Sequence, residues 1–238
     1  PVPEPAGAGL QPGTLLAALG LLFVATIVAA AATGARPDVP PGDPTSLTIM
    51  AYNIQQGNSE DGQRNFDGQL DVIRSADPDV VGLVESDTNR IANGNTDVVR
   101  YFADRLDMYS YYGPETVAGT FGVALLSRYP IDSATTVYHY SAREQEATID
   151  ARIAVGDRTF HVYVTHLASE DRDENLAQMA EIVQMVEGVD GVLLLGDFNF
   201  RPDTPQYSLA TQVLDDSWLL RWPGGTPDQG IDLSLIHI

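Results

Sequence analysis

GVLLLGDFNFRP, Gly191–Pro202, decides how the rest of the chain is read. Val192 to Leu195 is a short uninterrupted apolar run, the pattern of a strand buried on both faces. It stops at Gly196, followed by Asp197, Phe198 and Asn199. In an extended chain residues i and i+2 share a side, so the Asp197 carboxylate and the Asn199 amide can face one ligand. That pair suits a hydrated cation and a phosphoryl oxygen, and it equally fits an Asx-turn by which a strand leaves the core.

Working outward, other apolar runs end in the same manner. Leu47–Tyr52 reads as a strand ending at Asn53-Ile54-Gln55-Gln56-Gly57, and Val80–Val84 as a buried strand ending at Glu85. Ala147–Val155 and Thr159–Thr165 alternate as a hairpin about Gly156-Asp157, the second strand ending at His166. Gly122–Ser127 reads as a strand closed by Arg128-Tyr129-Pro130, and Val213–Trp218 as a final strand. Helices are predicted from Phe66, Leu70 and Ile73, from Asp97–Leu106, from Asn175–Val186 and from Pro205. This order predicts an α/β (α+β) fold, sheet packed on sheet with helices outside. Asn53, Glu85, His166 and Asp197 with Asn199 then gather at one rim. His161, Tyr163, Arg128 and Glu146 are read as structural, the last as an edge residue.

The 238-residue chain has no Cys, so thiolate ligands and Cys nucleophiles are excluded, and a metal would be held by oxygen or imidazole. The formal charge is −20 and every basic residue is Arg, a balance that suits a surface kept soluble at high salt and predicts a halophilic source. No basic run is present to neutralise a nucleic-acid backbone. Residues 1–13 read as a flexible segment and 14–35 as a transmembrane helix, built on Leu15–Ala32, with a signal-like segment as the alternative. Residues 36–45 form a Pro-rich linker, and 46–238 the globular domain.

AYNIQQGN, PDVVGLVESDT, GTFGVALLSRYPI, VYVTHL and LLLGDFNFRP, in that order, resemble the endonuclease/exonuclease/phosphatase (DNase I-like) superfamily. A narrower likeness in NIQQG, ESDT, GNTDVVRYFADRL and GTFG…LSRYPI is to the soluble domain of cell-wall-biogenesis membrane proteins that remodel GPI-anchor lipids. The resemblance implies a four-layer α-β-β-α sandwich of two mixed sheets and hydrolysis of a phosphoester. It implies Mg²⁺ (or Mn²⁺/Ca²⁺) held by Glu85, with Asn53 and Gln55 beside it. It further implies that Asp197 activates water, Asn199 contacts phosphate or metal, and His166 stabilises phosphoryl charge. Gln55 departs from the acidic residue several relatives carry. Asp232 matches a carboxylate that orients a second His from an SDH segment. His237 is too near Asp232 along one strand to be that His, so this segment and a last strand are expected beyond Ile238.

These features predict a membrane-anchored, extracytoplasmic phosphodiesterase acting on a lipid or GPI-like headgroup in preference to nucleic acid. An extracytoplasmic nuclease and a degenerate binding module are the alternatives. No protein partner is evident.

Overall fold

The computed structural model describes residues 12–33, 37–86, 88, 94–113, 122–143, 145–225 and 231–237. Two compact units are present, Pro1–Arg36 and Pro37–Ile238. In the first, Pro12–Thr33 forms α1, which opens on a proline where the missing N–H costs nothing. The Thr26 hydroxyl donates to the Leu22 carbonyl, so this polar side chain is satisfied within the helix. That 19-residue stretch is uncharged, wholly exposed and long enough to cross a bilayer.

In the second unit the chain runs through β1 (Ile49–Asn53), α2 (Phe66–Ala76), β2 (Val80–Val84), α3 (Val98–Leu106), β3 (Tyr109–Tyr112) and β4 (Ala124–Ser127). It continues through β5 (Ile131–Tyr138), β6 (Ala147–Val155), β7 (Arg158–His166), α4 (Arg172–Val186), β8 (Val192–Asp197) and α5 (Pro205–Ala210). Last come β9 (Asp215–Asp216), α6 (Ser217–Arg221) and β10 (Asp232–His237). One sheet has four strands in the order β1-β2-β4-β3, and the other six in the order β5-β6-β7-β8-β10-β9.

Alternation assigns the layers. Val80, Val84, Leu125, Ile149, Ile153, Val162, Val164, Leu193 and Leu195 face the other sheet and form the central core. Val81, Leu83 and Leu126 turn outward to Leu70, Ile73, Val99 and Phe102 of α2 and α3. Val192, Leu194 and Leu235 turn outward to Met179, Ile182 and Tyr207 of α4 and α5. Two mixed sheets with helices on both outer faces are therefore observed, as expected. A fully buried aliphatic side chain contributes about 1.5–3 kcal/mol, so this central layer is a main source of the domain's stability.

Three elements differ from the sequence reading. β3 and β5 were not anticipated: β3 is an aromatic stretch, and β5 is an edge strand whose Asp, Ser and Thr side chains hide its apolar period. The strand expected over Val213–Trp218 is cut to Asp215–Asp216. The Asp216 carboxylate accepts from the N–H groups of Trp218 and Leu219, capping a helix where a longer strand was read.

Candidate active site

Register gathers the site. β1 and β2 are parallel with Asn53 opposite Val84, and β7 and β8 are parallel with His166 opposite Asp197. β10 runs antiparallel to β8 and brings Asp232 opposite Asp197. Asn53 follows Ile49 and Ala51 on the inter-sheet face, and Asp197 follows Leu193 and Leu195. Four strand ends and one strand start therefore open at one rim of the sandwich.

Glu85 reaches that rim by a backbone device. Strict alternation would send it outward with Val81 and Leu83. Its φ of +51° places it in the left-handed region, where Glu is uncommon, and re-aims the side chain. Gln55, Gln56 and Asn199 also carry positive φ, so unusual backbone clusters around this rim. Buried Gln69 of α2 pins the turn after β1 by donating to the carbonyls of Ile54 and Asn58. Ser86 anchors the turn after Glu85 through the Gly122 carbonyl. Asn175 of α4 donates to Ala168 O and Phe198 O, tying together the exits of β7 and β8. These positioning residues were not picked out from sequence, because their partners lie far along the chain.

The Asn53 amide is the hub. Its Nδ2 donates to Glu85 Oε1 at 2.9 Å and to Asp197 Oδ2 at 3.1 Å, and its Oδ1 accepts from the Gln55 backbone N–H at 2.9 Å. Two bonds to one nitrogen bring Glu85 and Asp197 within a span that one hydrated cation can bridge. They also change the expected parts. As folded, Asn53 offers N–H to the carboxylates, and Gln55 meets the cluster through its backbone while its side chain lies exposed. Asp197 Oδ1 accepts from the Asn199 N–H in an Asx-turn, and Asn199 Nδ2 donates to Leu167 O. The site pair and the strand-exit turn are thus the same structure.

Asp232 keeps solvent on one side, yet its carboxyl is pushed up to about 6 by desolvation first, then by the charges of Asp197 and Glu85. Three carboxylates sense one another across this rim. Among the described residues, no three His, Asp or Glu side chains converge tightly enough to encage an ion by themselves. Mg²⁺ commonly takes one or two carboxylates and completes its shell with water and substrate phosphate. The all-oxygen pair Glu85 and Asp197, with Asp232 opposite Asp197, fits such an ion.

Glu146 is corrected from an edge residue to a buried one. Its Oε2 lies 3.6 Å from Nδ1 of His166, with both side chains at least nine-tenths buried. It also lines a cavity of about 260 Å³ with Arg143, Glu170, Asp171 and Glu174. Tyr163 is packed, its hydroxyl pushed up to about 12 by burial, and Arg128 holds its turn through Asp77 and Asp79. His237 pairs with Val192 at the far end of β8, away from Asp232.

Comparison with known proteins agrees with this architecture. The chain is 38% identical over 97 residues to the protein cwh43 of Schizosaccharomyces pombe, covering 40% of this chain and 10% of that protein. The chain thus spans about a tenth of that relative. It is 29% identical over 175 residues to the uncharacterised protein YbhP of Escherichia coli, covering 65% of this chain and 67% of that one. The solved structure of an endonuclease/exonuclease/phosphatase from Beutenbergia cavernae superposes with a TM-score of 0.60 at 20% identity, over 80% of this chain and 64% of that one. A family model described as the PGAP2IP C-terminal nuclease-like domain matches residues 44–218. The chain belongs to that family, within the endonuclease/exonuclease/phosphatase superfamily.

Proposed function

We propose that this protein is a membrane-anchored, divalent-metal-dependent phosphoesterase that hydrolyses a phosphodiester bearing a lipid or GPI-like headgroup. The observation that carries the reading is the single Asn53 amide holding Glu85 and Asp197 together at a rim shared with His166 and Asp232. A bound Mg²⁺ would supply neutralisation of charge on the phosphoryl oxygens, with Glu85 and Asp197 holding it. Asp197, fixed on one oxygen by the Asn199 N–H, is placed to take the proton of the attacking water. His166 stabilises the phosphoryl oxygens, its ring steadied by Glu146. Asn53 keeps the two carboxylates at working separation, and Asp232 forms the far wall.

Several features favour a headgroup over a nucleic acid. The cavity beside Glu146 is lined by four carboxylates and one Arg, which repels a polyphosphate chain. The uncharged α1 supports membrane attachment. The test is a screen of the chain, as given and extended through an SDH-like segment, in lipid vesicles against phosphodiester, phosphomonoester and phospholipid substrates, with and without Mg²⁺, in dilute buffer and in concentrated KCl. Hydrolysis of a phospholipid that needs Mg²⁺ and disappears in Glu85→Ala is expected. Turnover indifferent to both would sink the reading.

A further inference from the structure

At its β9 edge the six-stranded sheet leads into the short helix α6, which has an apolar outer side. Trp218, Leu220 and Trp222 are 41%, 55% and 48% exposed, and the two indole rings lie 4.1 Å apart. The Arg221 guanidinium stands 5.6 Å from the Trp222 ring. This side is not a loose loop. The buried Asp216 carboxylate accepts from Trp218 N–H at 2.8 Å and Leu219 N–H at 3.3 Å, and the Tyr207 hydroxyl donates to it at 2.8 Å. The aromatic pair is thus displayed on a platform fixed to the sheet.

Register gives the platform a direction. β9 is antiparallel to β10, with Asp215 opposite Ile236 and Asp216 opposite Leu235. The chain entering α6 therefore advances toward the end of β10 that carries Asp232, the rim of the candidate site.

We propose that α6 with Trp222 is the face by which the catalytic domain lies on a zwitterionic lipid bilayer, with the carboxylate rim toward that bilayer. Trp favours the boundary between headgroups and acyl chains, Leu adds apolar area, and Arg meets lipid phosphate. The occupant is a bilayer because the same chain carries, in α1, the uncharged and exposed stretch Pro12–Ala30 of spanning length. It is a zwitterionic one because a chain of formal charge −20 is repelled by an anionic leaflet, leaving apolar contact to hold it. The substrate's place in that bilayer rests on the phosphoesterase reading; the docking itself does not.

The protein contains two Trp, and both belong to this face, so the emission of the unmodified chain reports on it alone. The full chain is reconstituted into phosphatidylcholine vesicles with plain or with brominated acyl chains. Brominated lipid is expected to remove about half of the emission. Leu220→Asn, which keeps both Trp, is expected to weaken that quenching by about half. Unchanged emission in brominated vesicles overturns the proposal, whether acrylamide then reaches the rings or another protein surface shields them. Quenching indifferent to Leu220→Asn also overturns it. Hydrolysis of a short-chain soluble phosphodiester is followed in parallel. Quenching without hydrolysis defeats the enzyme reading alone, and hydrolysis without quenching defeats the docking alone.

Discussion

His139 and His166 each stand beside a carboxylate on the same sheet, and their surroundings separate them. The His139 ring is sealed: Nδ1 meets Glu181 Oε2 at 2.7 Å, Nε2 meets Thr148 Oγ1 at 2.7 Å, and Thr148 passes the chain to Thr165 at 2.8 Å. Both ring nitrogens are committed to protein, and none of the side chain is exposed. His166 lies one residue beyond Thr165 at the strand end, in register with Asp197 and 3.6 Å from Glu146. A His–carboxylate pair is therefore no mark of catalysis in itself. What sets His166 apart is its place at the strand end, opposite Asp197 at the rim.

The sharpest way to break this contrast is Asp197→Asn set against His139→Ala. Asp197→Asn is expected to lower turnover by about a thousandfold. Its melting temperature should hold or rise, since one member of a like-charged group is gone. His139→Ala should do the reverse, costing about 2–4 kcal/mol in denaturant unfolding through a cavity and a broken buried network. Its turnover per folded molecule should remain near the parent value. Loss of turnover in a folded His139→Ala protein would erase the distinction.

Next in size is the pH response of Asp232. Its folded pKa of about 6 lies above the unfolded value, so the native state binds the extra proton between roughly pH 4 and 6. Stability should therefore fall as pH rises through that window. Asp232→Asn should raise the melting temperature at pH 8 and leave it unchanged at pH 4. Added Mg²⁺ should stabilise the parent at pH 8 and do little for Glu85→Gln. A melting temperature blind to Mg²⁺ at every pH would count against the cation site. The smallest effect concerns backbone: Glu85→Gly relieves a positive φ and should add about 1 kcal/mol while abolishing the Mg²⁺ response.

What sequence revealed was where apolar runs stop. Val80–Val84 and Val192–Leu195 are continuous because both their faces are buried, and the polar residues after them had to sit at a rim. The hairpin about Gly156 was legible for a local reason, its turn chemistry. The aim of Glu85 was not, because one φ angle overturns alternation without leaving a mark in composition. Glu146 was missed because its burial depends on β7 and the loop into α4, beyond any local pattern. Gly196 stands between these cases. Its φ is +149°, and a Cβ there would lie 1.9 Å from the Thr165 carbonyl oxygen, so the glycine in GDFN keeps β7 close enough for His166 to face Asp197.

The placement of β10 between β8 and β9 has a consequence for synthesis. On a chain leaving the ribosome, β8 emerges well before its neighbour, and Asp197 waits with one flank open to water. Only when residues 232–237 have cleared the exit tunnel can the third acidic group slide in opposite it. The negative charge of the rim is completed by a late, inserted strand, so the six-stranded sheet and its acidic edge close together, at the end of synthesis.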